Sequence, residues 1–496
     1  MSAVRIRTAL AALVAGTIAG CAVGPRYSPP APPAPAAGSF AAGTPQVAAA
    51  DQPPANWWHL YETPAIDQLV QDALLHNRNL LAAAANLAEA RAALSLAAAG
   101  RYPTTVLAAG AQYGVSADAA FANALRGLGA ASPGPIYTAG LDVSYEIDLF
   151  GRVRRTVQAA AADYQAQQAA EDVVRISVAA ETTRAYVNAC ADGELLDVAR
   201  ESLQIVTQDH ELTVRQAEAG AATDFDVARA LELVEQVRAT LPVYEGERRT
   251  ALFQLAVLTG RPPEEISAQA SACRTVPTLN TVLPVGDVQS LFRRRPDVRQ
   301  AERQFAGGVA RIGVATADLY PSITLGGSAG SASNTLRGLG ERRNLSYGVG
   351  PLLSWSFPNI LVARAEVREA RATASAAYAN FEAAVLQALE DTETALTAYA
   401  TELDRNASLL EARDQSQLAY NLIQTRFELG RVSYLDLLTA ETDLVNARAT
   451  LAASNQALAS DQVTVFKALG GGWEQAPDIQ PLPIHDGATG RDIAVH

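Results

Sequence analysis

Two short segments 210 positions apart carry the same spacing of a glycine, a hydroxyl and a carboxylate. They are Gly220, Thr223 and Asp226 in one, and Gly430, Ser433 and Asp436 in the other. A hydroxyl followed three residues later by a carboxylate can form a capping box, in which the two side chains satisfy free N–H groups at a helix start. The glycine three residues earlier suits the left-handed backbone that ends a preceding helix. The chemistry open to Asp226 and Asp436 is therefore electrostatic. Each reads as a cap, and symmetry copies of such a helix-start aspartate near an axis would also make an acidic ring that favours cations.

Other signatures of chemistry do not hold. Gly326-Gly327-Ser328-Ala329-Gly330 fits the nucleophile-elbow pattern, but Ser331 to Gly340 reads as a polar loop, and the downstream histidines, His485 and His496, fall in a tail. A small-residue strand explains it better. Five scattered histidines give no metal cluster, and no phosphate loop or dinucleotide fingerprint occurs, so no enzyme, metal or cofactor is expected. A net charge of −13 excludes nucleic acid as a partner, because binding phosphates needs clustered positive charge. Cys190 and Cys273 could pair in an oxidising compartment, yet their context favours two separate small packing residues.

Residues 1–20 read as a signal peptide: Arg5 and Arg7, an apolar run from Thr8 to Ala19, then small residues before Cys21. The stretch Ile18-Ala19-Gly20-Cys21 resembles the bacterial lipobox, which implies lipid attachment at Cys21. Ala22 in place of an aspartate implies sorting to the outer membrane. Residues 21–60 are Pro- and Ala-rich and read as an extended leash, anchored by Trp57 and Trp58.

The elements that must position the two glycine turns form a duplicated plan. A first repeat (61–270) has a helix from near Ile66 to before Arg101, strands at 104–116 and 137–149 joined by an external loop (117–136), then helices at 153–219 and 223–260. The turn at 220–226 links the last two. A connecting segment (271–286) leads to a second repeat (287–472) with a helix interrupted at Pro296, strands at 322–333 and 345–357, and helices at 363–429 and 433–470 around the turn 430–436. A flexible tail (473–496) follows. From Tyr137 to Leu149 every odd position is apolar or aromatic, while Asp142, Glu146 and Asp148 occupy even positions. Such strict alternation over 13 residues suits a membrane barrel strand with lipid on one side and a watery lumen on the other. Four strands cannot close a barrel, so several copies must contribute, three being the simplest number. Each 67-residue helix spans roughly 100 Å, far more than a bilayer, so most of it stands outside the membrane. The fold class is mainly α with transmembrane β: a homotrimeric twelve-stranded barrel continued by a coiled-coil tunnel.

The chain resembles the TolC-like outer membrane factors, in the lipoprotein branch that serves resistance-nodulation-division (RND) pumps. The matching pieces are Cys21-Ala22-Val23-Gly24-Pro25, Tyr145 to Arg152, Arg294 to Val298, Tyr320-Pro321-Ser322-Ile323 and the Gly430 turn. The resemblance implies an outer-membrane exit duct for small molecules, with a periplasmic adaptor (membrane fusion protein) and an inner-membrane pump as partners. It implies a periplasmic gate that includes Asp436, Asp226, Phe427, Glu428 and Arg426, and adaptor-docking tips at Gly220, Thr223, Gly430, Arg431, Val432 and Ser433. Asp436 falls at the family's constriction-ring aspartate and Phe427 at a gate tyrosine. A second family aspartate falls at Thr439 and a gate arginine at Val432, so this chain's closed-state links must differ; Arg426, Glu428, Arg431 and Glu441 could supply them. A duct for type I protein secretion and a periplasmic coiled-coil scaffold without a barrel are the alternatives.

Overall fold

The computed structural model describes residues 22–30, 38, 40–44, 47–115, 117–279, 282–355, 360–486 and 491–493. The signal peptide, the lipid site at Cys21 and Phe357 lie outside the described residues. In chain order the elements are β1 (Ala48–Ala49), α1 (Pro64–His76), α2 (Arg78–Ala99), β2 (Thr104–Gly114), α3 (Ala117–Leu125), β3 (Gly134–Ile147), α4 (Arg152–Glu218) and α5 (Asp224–Leu258). They continue with α6 (Ala268–Ala272), β4 (Leu283–Pro284), α7 (Val288–Arg294), α8 (Pro296–Ala317), β5 (Ser322–Ser333), β6 (Leu345–Ser354), α9 (Ile360–Glu428), α10 (Tyr434–Ala468), β7 (Ile484–Asp486) and β8 (Arg491–Ile493). Contacts divide the chain into two units. One holds 89–166 and 301–380 with the segment up to Pro30; the other holds 31–88, 167–300 and 381–496.

The first unit is built on an antiparallel sheet in the order β2-β3-β5-β6. Its register keeps odd positions opposite odd positions: Leu107 faces Leu141, Leu141 faces Ala329, and Ala329 faces Tyr347. The apolar alternation of each strand therefore accumulates into one continuous face. The other face is mostly small and polar, with Val106, Ile136 and Leu352 as apolar exceptions; on it Asp142 lies opposite Val106 and Ser328, and Glu146 opposite Thr324. Leu107, Tyr347 and Val349 are among the most exposed apolar residues of the chain, and they sit on the two outer strands. The helix Arg78–Ala99, shared between the units, is long and apolar enough to cross a membrane, with mean hydropathy 1.3. It also carries Glu89 and Arg91 near its middle, the latter 5.9 Å from the Tyr164 ring centre.

The second unit packs the long helices against one another. Trp57 is buried and stacks on Phe466, centroids 4.9 Å apart, which fixes the chain at this point to α10. Arg295, from the stretch Arg294 to Val298, is buried. It donates Nη1 to the carbonyl of Ala468 at the end of α10 (2.9 Å), and its other nitrogens reach Asp297 and Asp391. That stretch is a clasp between α8, α9 and α10, and a buried guanidinium with all three partners is one whose removal would leave unpaired charge.

Four expectations need correction. The first helix is broken at Asn77, which turns extended; its Oδ1 accepts from the N–H groups of Asn79 (3.0 Å) and Leu80 (3.2 Å) and restarts the helix as α2. The loop 117–136 contains α3, whose alanine-rich sequence has high helix propensity. The tail is held at its start: Trp473 Nε1 donates to Arg294 O (3.0 Å), and the guanidinium of Arg299 lies 4.7 Å over its ring. Cys190 and Cys273 are joined in a disulfide across 83 residues, their Cα atoms 4.9 Å apart. Their sequence neighbours hold no hint of this, because it is the packing of the connecting segment on α4, including Val276 against Val187 and Ala191, that brings them together. Replacing both cysteines with serine is expected to cost about 2–4 kcal/mol, because the unfolded chain regains the entropy of an open loop. Thiol titration of denatured, unreduced protein is the direct check; two free thiols from this pair would refute the bridge.

Candidate functional site

The two glycine turns are near-identical structures. Gly220 has φ +72° and Gly430 has φ +64°, the left-handed region where a Cβ is strained. Each glycine N–H bonds back three residues, to Ala217 and Phe427, both at 2.9 Å. Each following N–H bonds back five, Ala221 to Gln216 at 2.8 Å and Arg431 to Arg426 at 2.9 Å. These pairs close the last carbonyls of α4 and α9.

Both capping boxes form. Asp226 Oδ2 accepts from Thr223 N (2.9 Å) and Oγ1 (2.7 Å), while Asp226 N donates to Thr223 Oγ1 (3.3 Å). Asp436 Oδ2 likewise accepts from Ser433 N (3.0 Å) and Oγ (2.7 Å), and its N–H donates to Ser433 Oγ (3.3 Å). The hydroxyl, then the backbone donor, holds each carboxylate below its ordinary range, so both are charged at neutral pH. Cap and charge thus coexist at the same side chain.

Behind the turns lies a shared core from all four long helices: Val206 of α4, Val234 and Val237 of α5, Tyr420 and Phe427 of α9, Tyr434, Leu437 and Leu444 of α10. Phe427, at the family's gate-tyrosine position, is buried here against Tyr434, ring centres 6.0 Å apart. Val432 packs on the same core. Arg426, Glu428 and Arg431 are exposed and form no ion pair among the described residues. Their charges remain available outside the protomer.

Glu441 is not available. It is 1% exposed, and it hydrogen-bonds to Asp209, which also accepts from Tyr420 Oη at 3.2 Å. Burial, then repulsion from Asp209, pushes its carboxyl up to about 9. At neutral pH it is a protonated acid in the core joining α10 to α4, which corrects its place among surface charges. Its sequence position gave no sign, since a glutamate flanked by threonine and alanine reads as solvated.

Three apolar side chains at the turns escaped the sequence reading. Phe225 is 70% exposed, Leu429 62% and Leu435 62%. Each sits within five residues of a tip glycine, and their helical phase turns them away from the core beneath. Exposed large apolar groups clustered at paired hairpin ends mark a contact surface. Of the residues on the sheet's even face, Asp142 and Glu146 lie within β3. Asp148 lies one position past it, where its carboxylate accepts from the N–H groups of Val153 (3.0 Å) and Arg154 (2.8 Å) and caps α4. Glu146 pairs with Arg152.

An amphipathic four-stranded sheet in one unit and duplicated helical hairpins in the other, ending in charged caps and exposed apolar groups, are the parts of a channel-forming duct protein. The profile of the family described as Outer membrane efflux protein matches residues 69–261 and 288–471. The chain belongs to that family, an outer membrane channel family and not one of enzymes. It is 31% identical over 482 residues to Outer membrane protein OprJ of Pseudomonas aeruginosa, covering 96% of this chain and 98% of OprJ. It is 29% identical over 469 residues to Nodulation protein T of Rhizobium leguminosarum bv. viciae, covering 95% and 94%. Among solved structures, the outer-membrane channel OprN superposes with a TM-score of 0.84 at 31% identity, over 91% of this chain and all of OprN.

Proposed function

We propose that the protein is the exit duct of a tripartite RND-type efflux pump. Three copies would pool their four-stranded sheets into one twelve-stranded barrel. The observation that supports this most is the sheet itself, whose register builds one apolar face and one mostly small and polar face while leaving β2 and β6 as its outer strands. Exposed strand edges of that length need a partner, and another copy supplies the same edge pattern. Asp142 and Glu146 then line the lumen with water-compatible groups. A lipid on Cys21 would tether each subunit to the outer membrane. The duct passes small molecules passively, with energy from an inner-membrane pump reached through a periplasmic adaptor at the turns.

The gate in this reading is an acidic ring. Three copies each of Asp226 and Asp436, ionised because their caps stabilise the charge, face a common axis and select against anions. Arg426, Glu428 and Arg431, unpaired among the described residues, make the closed-state links between subunits. In planar bilayers, Asp436→Ala should raise single-channel conductance roughly twofold or more, and Asp436→Asn, which keeps the cap's hydrogen bond, should abolish block by divalent cations. Unchanged conductance and unchanged block in both variants would reduce Asp436 to a helix cap.

A further inference from the structure

At the end of the sheet that leads into α4, the segment Ala22 to Tyr27 is pinned against the helices. Val23 N donates to Phe150 O (3.0 Å). Gly24, at φ +86°, lies so close to α8 that a Cβ there would come within 2.7 Å of the Gly313 Cα. This packing leaves a half-open cavity of about 530 Å³ between the segment, the first turns of α4 and the face of α8. Its lining holds Arg26, Arg154, Arg155 and Arg303 with Gln158 and Gln165, and no carboxylate.

Arg303 is neutralised by Glu302, but Arg26, Arg154 and Arg155 keep like charges that repel one another unless something negative occupies the cavity. The nearby acids are already engaged. Glu302 is held by Arg303 and by the Tyr27 hydroxyl, Asp163 by Arg311, and Asp148 by the start of α4. Arg26 and Arg154 have no side-chain partner among the described residues. Arg155 is the sharpest sign: it is only 6% exposed, yet its Nε has no hydrogen-bond acceptor. Its remaining contacts are Gln158 Oε1 (3.0 Å) and Gly24 O (3.5 Å), and its stem lies over Gly313, where any Cβ would come within 2.8 Å of it. Burial, then Arg26 and Arg154, lowers the Arg155 pKa, as expected in an uncompensated positive site.

We propose that this cavity binds the phosphate of a phospholipid headgroup. Its level in the fold selects a lipid: it lies at the strand-to-helix junction, beside the stacked rings of Phe150 and Tyr320 (centroids 4.6 Å apart), and aromatic residues gather at the headgroup level of membrane proteins. Arginine forks match phosphate oxygens in pairs, and basic pockets at this depth take lipid headgroups. The site rests on the barrel reading above, which places this junction at the headgroup level, and not on acylation of Cys21.

Native mass spectrometry of the full-length protein, titrated with phosphatidylglycerol, with diacylglycerol of the same chains and with inorganic phosphate, tests it. Phosphatidylglycerol should bind, and diacylglycerol should not. The pair Arg26→Gln and Arg154→Gln, at side chains that hold nothing in the fold, should weaken lipid binding about twenty-five-fold, taking roughly fivefold for each surface arginine. The corresponding lysine pair should restore most of it. Equal binding of the two lipids, an unaffected glutamine pair, or inorganic phosphate bound as tightly as the lipid would each overturn the proposal. So would loss of subunit association with lipid binding retained, which would assign these arginines to a contact between copies.

Discussion

Phe225→Ser, Leu429→Ser and Leu435→Ser combined in one chain should abolish efflux in cells while leaving the protein folded and assembled. The three side chains are largely exposed, so they contribute little to the protomer core. Buried against an adaptor, each would contribute about 1.5–3 kcal/mol, so losing three removes more than 100-fold in affinity on the lowest of these values. Minimal inhibitory concentrations of exported compounds should fall to those of a strain lacking the gene. The assembled form on unheated gels and the thermal midpoint should be unchanged. Wild-type resistance in the triple variant would remove the turns from the docking surface.

Glu441→Gln should stabilise the protein increasingly as pH rises. The folded state keeps a proton on Glu441 up to about pH 9, whereas the unfolded chain releases it near the ordinary value of 4.5. Folding therefore takes up a proton between these limits. The stability from this group is complete below pH 4.5, declines as pH rises and is lost above about pH 9. Asp209 is shifted the same way, chiefly by burial, and adds to the slope. Glutamine can still donate to Asp209 but has no proton to lose. At pH 8 the gain over the parent should be on the order of a few kcal/mol, and near pH 4.5 it should vanish. Thermal midpoints from pH 5 to 9 measure it; parallel curves for parent and variant would mean that Glu441 is ionised in the fold. The core beneath the turns is thus tighter in mildly acidic surroundings, which couples the four-helix packing behind the turns to pH.

The regular parts of this chain are local in origin, and they were legible for that reason. Helices α4 and α9 run without proline for 67 and 69 residues, and each ends on a glycine that only the left-handed region accommodates cheaply. Thr223 with Asp226 and Ser433 with Asp436 sit three residues apart, so their capping geometry needs nothing beyond their own helix. The period of two that begins at Tyr137 likewise states which residues of β3 share a face. Signals of this kind act within a few residues, and duplication printed them twice.

What only the tertiary structure decided are meetings between residues far apart in the chain. Cys190 meets Cys273 because the connecting segment folds back on α4, and no spacing rule encodes that return. Glu441 became a buried acid because α10 presents it to Asp209, 232 residues earlier, so its environment and its proton were set by another helix. Arg26, Arg154, Arg155 and Arg303 converge on one cavity from three separate segments, where the sequence shows only scattered arginines. Charge state and partner choice depend on solvent exclusion and distance, and both are properties of the packed molecule. The turns around Gly220 and Gly430 could be drawn from the chain alone; the exposed Phe225, Leu429 and Leu435 beside them gained meaning only once the core had claimed their neighbours.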